Sequence, residues 1–246
     1  MQFTVVGCWA PYPRIGEACS GYLVQEGDTA LLLDCGHGVF SSLGRYIDYN
    51  FLTGVFISHF HPDHYVDLYA LRHALRGAFM LKRRIEKLKV FMPDEPHREY
   101  AYFKQVPEFE VIKVENGLKC RLGSIDLEFF STRHALPAYG LLAESKGKKV
   151  FYTGDTSLFP GLYQGKEGID LLVAECTLFK GETSYAAQTG HMTTCDVALL
   201  AEHLKARRLL ATHFWPEYQI EKLKGEIEEG YKGSLFMAQA GFKIEI

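Results

Sequence analysis

With 246 residues, 47% of them apolar, and a formal net charge of −3, the chain has the size and composition of one large α/β domain that can bury its core without disulfides. The even mix of acids and bases excludes a protein that holds nucleic acid through an overall positive surplus, although a local patch stays open. Six cysteines, none in a C-x-x-C pair, suit reduced thiols in a cytosolic protein better than a disulfide framework.

The N-terminal run enters a strand over residues 3–6 with no charged leader, so no signal peptide is expected. No apolar run approaches the roughly 20 residues of a membrane helix. Strands are predicted over 22–25 and 30–34, joined by the turn Glu26-Gly27-Asp28. A short buried strand over 55–58 runs into His59, and helical spacing of apolar residues over 66–81 predicts a helix. Strands follow over 89–92, 109–114, 124–131, 139–143 and 149–153, and a nearly continuous apolar run marks a buried strand over 169–175. Thr193-Thr194-Cys195-Asp196 offers a helix start continued over 197–205, and strands over 209–212 and 242–246 close the chain. No linker, low-complexity segment or clear internal repeat is visible. The reading is therefore one α/β domain over 1–246, strands inside and helices outside.

The chemistry concentrates in His59-Phe60-His61-Pro62-Asp63-His64, three imidazoles and a carboxylate in one turn at a strand end. Imidazole nitrogen and carboxylate oxygen are the ligands of a hydrolytic zinc, and a strand end followed by a tight turn can aim alternate side chains at one point.

This run resembles the H-x-H-x-D-H signature of the metallo-β-lactamase superfamily. The likeness continues in order through Asp34 before Cys35-Gly36, His134, Asp155 in Thr153-Gly154-Asp155-Thr156, and His213 in Ala211-Thr212-His213-Phe214. The resemblance implies a four-layer αββα sandwich. It implies two Zn2+ ions, with Mn2+ or Fe2+ as alternatives. His59, His61 and His134 would hold one, Asp63, His64 and His213 the other, and Asp155 would bridge them. Asp34 is read as a structural residue that fixes the metal loop by hydrogen bonds, not as a ligand. His37, His73, His97 and His203 fit no motif.

Ala174-Glu175-Cys176-Thr177 and Gly190-His191-Met192-Thr193-Thr194 resemble motifs of the ribonuclease Z branch. A carboxylate can orient an imidazole and stabilise its charged form, and that imidazolium can protonate a leaving oxygen. Glu175 and His191, with Asp63, are the candidate catalytic residues. Ribonuclease Z proper carries a long Gly/Pro-rich arm that clamps tRNA, in many members between the positions of His134 and Asp155. Here only residues 135–154 lie between them, enough for a hairpin. The expectation is a phosphodiesterase acting on a small or cyclic nucleotide or another phosphodiester, with RNA less favoured. Cytoplasmic location and a homodimer are expected, and no membrane partner. The alternative is an acyl hydrolase, such as a lactonase, thioesterase or β-lactamase, which shares the metal cage. Basic runs at Lys82-Arg83-Arg84, Lys87 and Lys89, and at Lys205 and Arg207-Arg208, read as solvated faces. Tyr12, Tyr139, Phe214, Trp215 and Tyr218 either wall a pocket or pack the core.

Overall fold

The computed structural model describes residues 1–246. Strands β1 (Gln2–Gly7), β2 (Gly21–Glu26) and β3 (Thr29–Leu33) form an antiparallel meander, the hairpin turning at Gly27 with φ 56°. Such a positive φ suits glycine, which has no Cβ to clash. Helix α1 (Val39–Leu43), strand β4 (Gly54–Phe56), helices α2 (Pro62–Tyr65) and α3 (Leu68–Met80), strand β5 (Leu88–Met92), helix α4 (His97–Lys104) and strand β6 (Phe109–Lys113) follow.

The second half repeats the plan. Strands β7 (Lys119–Leu122), β8 (Ile125–Ser131), β9 (Tyr139–Ser145) and β10 (Lys148–Tyr152) are antiparallel neighbours. Helix α5 (Pro160–Tyr163), strand β11 (Leu171–Glu175), helices α6 (Thr183–Thr189) and α7 (Thr194–His203), strand β12 (Arg208–Thr212), helix α8 (Ile220–Gly230) and strands β13 (Ser234–Met237) and β14 (Lys243–Glu245) complete the chain.

Two seven-stranded sheets result, β14-β1-β2-β3-β4-β5-β6 and β13-β12-β11-β10-β9-β8-β7. The pairs from β14 to β3 are antiparallel and those from β3 to β6 parallel. The other sheet has the same pattern, antiparallel from β7 to β10 and parallel from β10 to β13. Each strand β1 to β6 thus has a counterpart seven labels later, and β14 corresponds to β7. Sequence inspection shows no repeat because the halves share topology, not residues.

The strands read as apolar runs because both faces of each sheet are covered. Phe3, Tyr22, Val24, Leu31, Leu33, Phe56 and Phe91 belong to the core between the sheets. Phe129 of β8 packs there against Phe56 and Phe91, at ring separations of 5.1 and 5.4 Å. The alternate residues Leu23, Leu32, Val55 and Val90 face α1, α3 and α4 through Val39, Leu68, Leu71, Leu75 and Phe103. On the far side, α7 and α8 cover the second sheet with Val197, Leu200, Leu204, Leu223 and Ile227. The four layers αββα follow from this alternation.

Two local details differ from the sequence reading. Strand β4 ends at Phe56, and Ile57 and Ser58 already belong to the turn that carries the histidines. The helix expected over 66–81 is preceded by the separate turn α2, which starts at Pro62, the first helical position after His61. Helix α7 begins as expected. Thr193 Oγ1 accepts from Asp196 N at 3.3 Å, and Asp196 Oδ2 accepts from Thr193 N at 2.9 Å.

One glycine sets how closely the two loops beside the histidine turn approach. A Cβ on Gly36 would stand 1.8 Å from the carbonyl oxygen of Asp63, whereas one on Gly77 within α3 would meet nothing within 4 Å. Gly36→Ala is expected to destabilise the fold by roughly 1–3 kcal/mol through overpacking. Gly77→Ala should instead stabilise it by up to about 1 kcal/mol, since alanine is the better helix residue. Urea denaturation of both variants checks the contrast, and equal midpoints would show that the close approach is not constraining.

Candidate active site

Asp34 follows β3 directly and adopts a left-handed backbone, φ 57°, which few residues other than glycine, asparagine and aspartate enter readily. That turn points its fully buried carboxylate along the end of β4. Oδ1 accepts from Ser58 N at 2.7 Å. Oδ2 accepts from Ser58 Oγ at 2.8 Å, from Tyr152 OH at 2.5 Å, and pairs with His64 Nδ1 at 2.7 Å. With Nδ1–H given to Asp34, it is Nε2 that His64 would offer to a cation at the centre. His59 is steadied likewise by Ser58 Oγ, 3.0 Å from its Nδ1, and His134 by the carbonyl of Gly190, 2.9 Å from its Nδ1.

The ligand-type atoms form two nests. In one, His61 Nδ1 lies 3.0 Å from both His59 Nε2 and His134 Nε2, and Asp155 Oδ2 lies 3.6 and 3.8 Å from those two nitrogens. In the other, His64 Nε2 and His213 Nε2 are 3.1 Å apart, with Asp63 Oδ2 at 3.5 and 3.4 Å from them. Asp155 reaches both nests, its Oδ2 3.4 Å from His64 Nε2 and its Oδ1 3.2 Å from His213 Nε2. All seven sequence-predicted ligand residues are therefore brought together.

Cations fit this donor set. Two ligands at roughly 2.0–2.1 Å from a tetrahedral ion stand about 3.3 Å apart, close to the separations seen. Imidazoles whose other ring nitrogen is already bonded can turn a lone pair inward to a cation. Asp155 Oδ1 is buried with no hydrogen-bond partner, a costly state unless something positive meets it.

Electrostatics agree with that fit. Burial, reinforced by the neighbouring His64, pushes the His59 pKa well below its usual value, and burial beside His134 lowers His61 to about 4. Both are thus neutral, as ligands must be. For Asp155 burial opposes ionisation, but the surrounding imidazoles outweigh it and hold the carboxyl well below its usual range. Asp63 is lowered in the same way by His64, which without a cation is the charged partner of these acids. Burial disfavours the charged ring of His64, but Asp155, Asp63 and Asp34 raise its pKa well above the usual value, so a cation bound there would displace that proton.

Glu175 ends β11 and is buried beside the nests. Its Oε1 accepts from Thr156 N at 3.0 Å and pairs with His191 Nδ1 at 2.9 Å. Its Oε2 accepts from Thr177 Oγ1 at 2.6 Å. The Thr177 oxygen lies 2.8 Å from His213 Nδ1, so with its proton on Glu175 it accepts from that ring. Glu175 therefore orients His191 directly and His213 through Thr177. Sequence reasoning missed Thr177, although it stands in the same run as Glu175 and its hydroxyl is the signal that could have found it. For His191 burial disfavours the charged ring, but the charge and hydrogen bond of Glu175, with Asp155 behind, raise its pKa to about 9.

The nests open into a cleft of about 410 Å³. Of the aromatics considered from sequence, only Trp215 lines it. Phe214 is fully buried against Trp9, Tyr139 is half-buried in β9, and Tyr12 and Tyr218 support Trp215 from behind. Tyr185 of α6, not singled out before, lines the cleft instead. His37, His73, His97 and His203 are exposed away from it. In the basic run Arg84 is not a free solvated charge, because its guanidinium donates to the carbonyls of Asn50, Leu52 and Glu86. No cysteine is bonded to another, and no helix is long and apolar enough to cross a membrane.

A β-lactamase superfamily domain matches residues 29–214. The chain is 29% identical over 246 residues to the "Probable metallo-hydrolase YhfI" of Bacillus subtilis (strain 168), covering 100% of both chains. The crystal structure of YhfI superposes with a TM-score of 0.94 at 28% identity, over 99% of this chain and 98% of that one. Ribonuclease Z of Ignicoccus hospitalis is 27% identical over 282 residues, covering 93% of this chain and 92% of its own. The human short-form tRNase Z shares the fold, with a TM-score of 0.78 at 21% identity over 100% and 99% of the two chains. The chain belongs to the β-lactamase superfamily, as a metallo-hydrolase of its ribonuclease Z-like branch.

Proposed function

We propose that this metallo-hydrolase cleaves phosphodiesters with two divalent cations, zinc foremost, in the nests described. His59, His61, His134 and Asp155 would hold one; Asp63, His64, His213 and Asp155 would hold the other. Cations bound there supply Lewis-acid polarisation of phosphoryl oxygens and a water acidic enough to attack near neutral pH.

The observation that carries the reading is the Glu175–His191 pair. The imidazole stands at the edge of the nests, near enough to Asp155 and His213 to form a third ligand-type group with them. Its Nδ1, however, is given to the buried Glu175 carboxylate at 2.9 Å and lies 3.9 Å from Asp155, which favours a role outside the two ligand sets. Its other nitrogen is left for the cleft, which His191 lines. In the protonated form that nitrogen can place a proton on a departing alkoxide, the step on which cleavage of unactivated phosphodiesters depends. Asp155 offers negative charge to both nests and keeps like charges from facing each other unscreened. Asp34, Ser58 and Thr177 hold the tautomers in which the ligand nitrogens face inward.

Large RNA is the less favoured substrate. Residues between His134 and Asp155 form only the β9–β10 hairpin, and no net positive charge draws a long polyanion. Unpaired thiols suit a reducing cytoplasm, and the family resemblance suggests a homodimer.

The direct test is a rate comparison of zinc-loaded protein on bis-p-nitrophenyl phosphate, a cyclic nucleotide, precursor tRNA and a lactone. The small phosphodiesters should lead. A lactone turned over faster than any of them would replace this reading with acyl hydrolysis, and efficient tRNA processing would restore RNA as substrate.

Thr177→Val keeps shape and removes the hydroxyl between Glu175 and His213. One of the two zinc equivalents should bind about 10–100-fold more weakly, as for lost partners of metal-ligating histidines. Thr177→Ser should restore it. Competition titration with a chelator reads this, and unchanged affinity would separate Thr177 from the site.

His191→Ala should keep both metals and lose on the order of 10²–10⁴-fold in turnover on an alkyl diester. The loss should shrink for p-nitrophenolate, which leaves without a proton. Since the charged ring is the donor, wild-type turnover of the alkyl diester should fall as pH rises through the His191 pKa, and this alkaline limb should vanish in the variant. Bound cations would move that limb below the value of about 9 set by Glu175 and Asp155. Loss of metal in the variant would instead make His191 a ligand.

A further inference from the structure

The two sides of the cleft differ in chemistry. The inner side is the ligand set with His191. The outer wall is Ala10, Pro11, Pro62, Leu178, Tyr185 and Trp215, with Thr189 between them. No lysine or arginine lines the cleft anywhere. The Thr189 hydroxyl is already committed, donating to the carbonyl of Tyr185 at 2.8 Å. The outer wall therefore offers a substrate apolar surface, two aromatic rings and one phenol, but no charge. A second phosphate or a carboxylate carried beyond the scissile group would lose water there and meet no cation.

Trp215 is fixed in place. Its indole N–H points away from the cleft to Tyr12 OH at 3.3 Å, and Tyr12 OH donates on to Glu217 at 3.0 Å. The ring packs on Tyr218 at 5.3 Å, and Tyr218 OH donates to Glu182. The backbone of the same loop is clamped by Arg14, whose guanidinium donates to the carbonyls of Pro216 and Tyr218 at 2.6 and 3.0 Å while it lies over the ring of Trp9. With its polar atom used behind the wall, Trp215 presents only ring surface to the cleft. Tyr185 contributes a second, half-exposed ring from α6. A rigid ring beside a cation site binds flat groups at little cost in ordering.

The geometry points to a specificity wall: Trp215 and Tyr185 stack a flat, uncharged aromatic group of nucleobase type attached to the phosphodiester. The inference rests on the phosphodiesterase reading for the bond cleaved and adds the substrate class, a nucleoside phosphodiester with one charged phosphate.

Calorimetric titration of zinc-loaded protein with a nucleoside 5′-monophosphate and with ribose 5-phosphate, held as its methyl β-riboside so that the ring stays closed, isolates the contribution of the base. The nucleotide should bind wild type roughly tenfold tighter, the scale of stacking one base on an aromatic side chain. Trp215→Ala and Tyr185→Ala should each reduce that ratio, the double variant should bring it to about one, and Trp215→Phe should keep most of it. Ribose 5-phosphate should bind all variants alike, showing that fold and nests are intact. A wild-type ratio of about one, or a ratio unmoved in the double variant, overturns the wall. Because binding is read without turnover, the two readings fail separately. Phosphodiester hydrolysis with no base effect removes the wall alone. A base effect in a protein inert toward phosphodiesters keeps the wall and removes the reaction.

Discussion

The site depends on one buried carboxylate that is not aimed at the ligand centre. Asp34 joins the end of β3 to the end of β4 through Ser58, and the first sheet to the second through Tyr152. The same group fixes the His64 ring. Its four donors satisfy a charge that would otherwise be very costly to bury. Removing it would unseat the turn that carries four of the seven proposed ligand residues, since Ser58 also holds His59. The left-handed backbone at Asp34 is what lets the carboxylate reach back to these donors, and a β-branched residue would resist that conformation.

The second half contains a counterpart. Glu175 ties the end of β11 to the end of β10 through Thr156 N, takes one hydroxyl from Thr177 and orients one imidazole, His191. Asp34 does the same between β3 and β4 with one backbone N–H, the Ser58 hydroxyl and His64. Each sheet thus has one anchoring carboxylate at the carboxyl ends of its parallel strands, placed on non-equivalent strands, since Asp34 follows β3, the counterpart of β10, whereas Glu175 ends β11. The outcomes differ because His64 turns its free nitrogen into a ligand nest and His191 turns its own toward the cleft. On the function proposed, a buried carboxylate would thus set a metal-facing histidine in one half and a proton-handling histidine in the other.

Much of this was legible because it is local. The run from His59 to His64 declares its chemistry within one turn, and strands buried on both faces read as apolar runs. The segments that sequence reading passed over have weak local signals for physical reasons. Strand β7 lies at a sheet edge and buries only Leu122, and β13 lies at the opposite edge of that sheet with no fully buried residue. Helix α8 buries Leu223 and Ile227 among lysines and glutamates. The Thr177 hydroxyl beside Glu175 was a local signal, but its bond to His213 and the place of Tyr185 on the cleft arise from long-range proximity. Conversely, the sequence left open whether Tyr12, Tyr139, Phe214 and Tyr218 wall a pocket or pack, and they do not line this cleft, because proximity in sequence to a motif does not fix where a ring points.

The charge distribution gives these parts a common logic. With neutral histidines, the ligand set carries two carboxylates, Asp63 and Asp155, and the Glu175–His191 pair is neutral when its ring is protonated. Two dications in the nests would leave a formal excess of about two positive charges at the cleft floor. A phosphodiester brings one negative charge and a hydroxide nucleophile another, so the reacting pair neutralises the floor. A phosphomonoester dianion or a nucleoside polyphosphate brings more, and the outer wall has no cation to meet the surplus. On the function proposed, the absence of lysine and arginine from the cleft would therefore be part of its selectivity. The metals would supply the positive field, the two anchoring carboxylates would set its geometry, and the uncharged aromatic wall would limit what that field can attract to a singly charged phosphate carrying a flat neutral group.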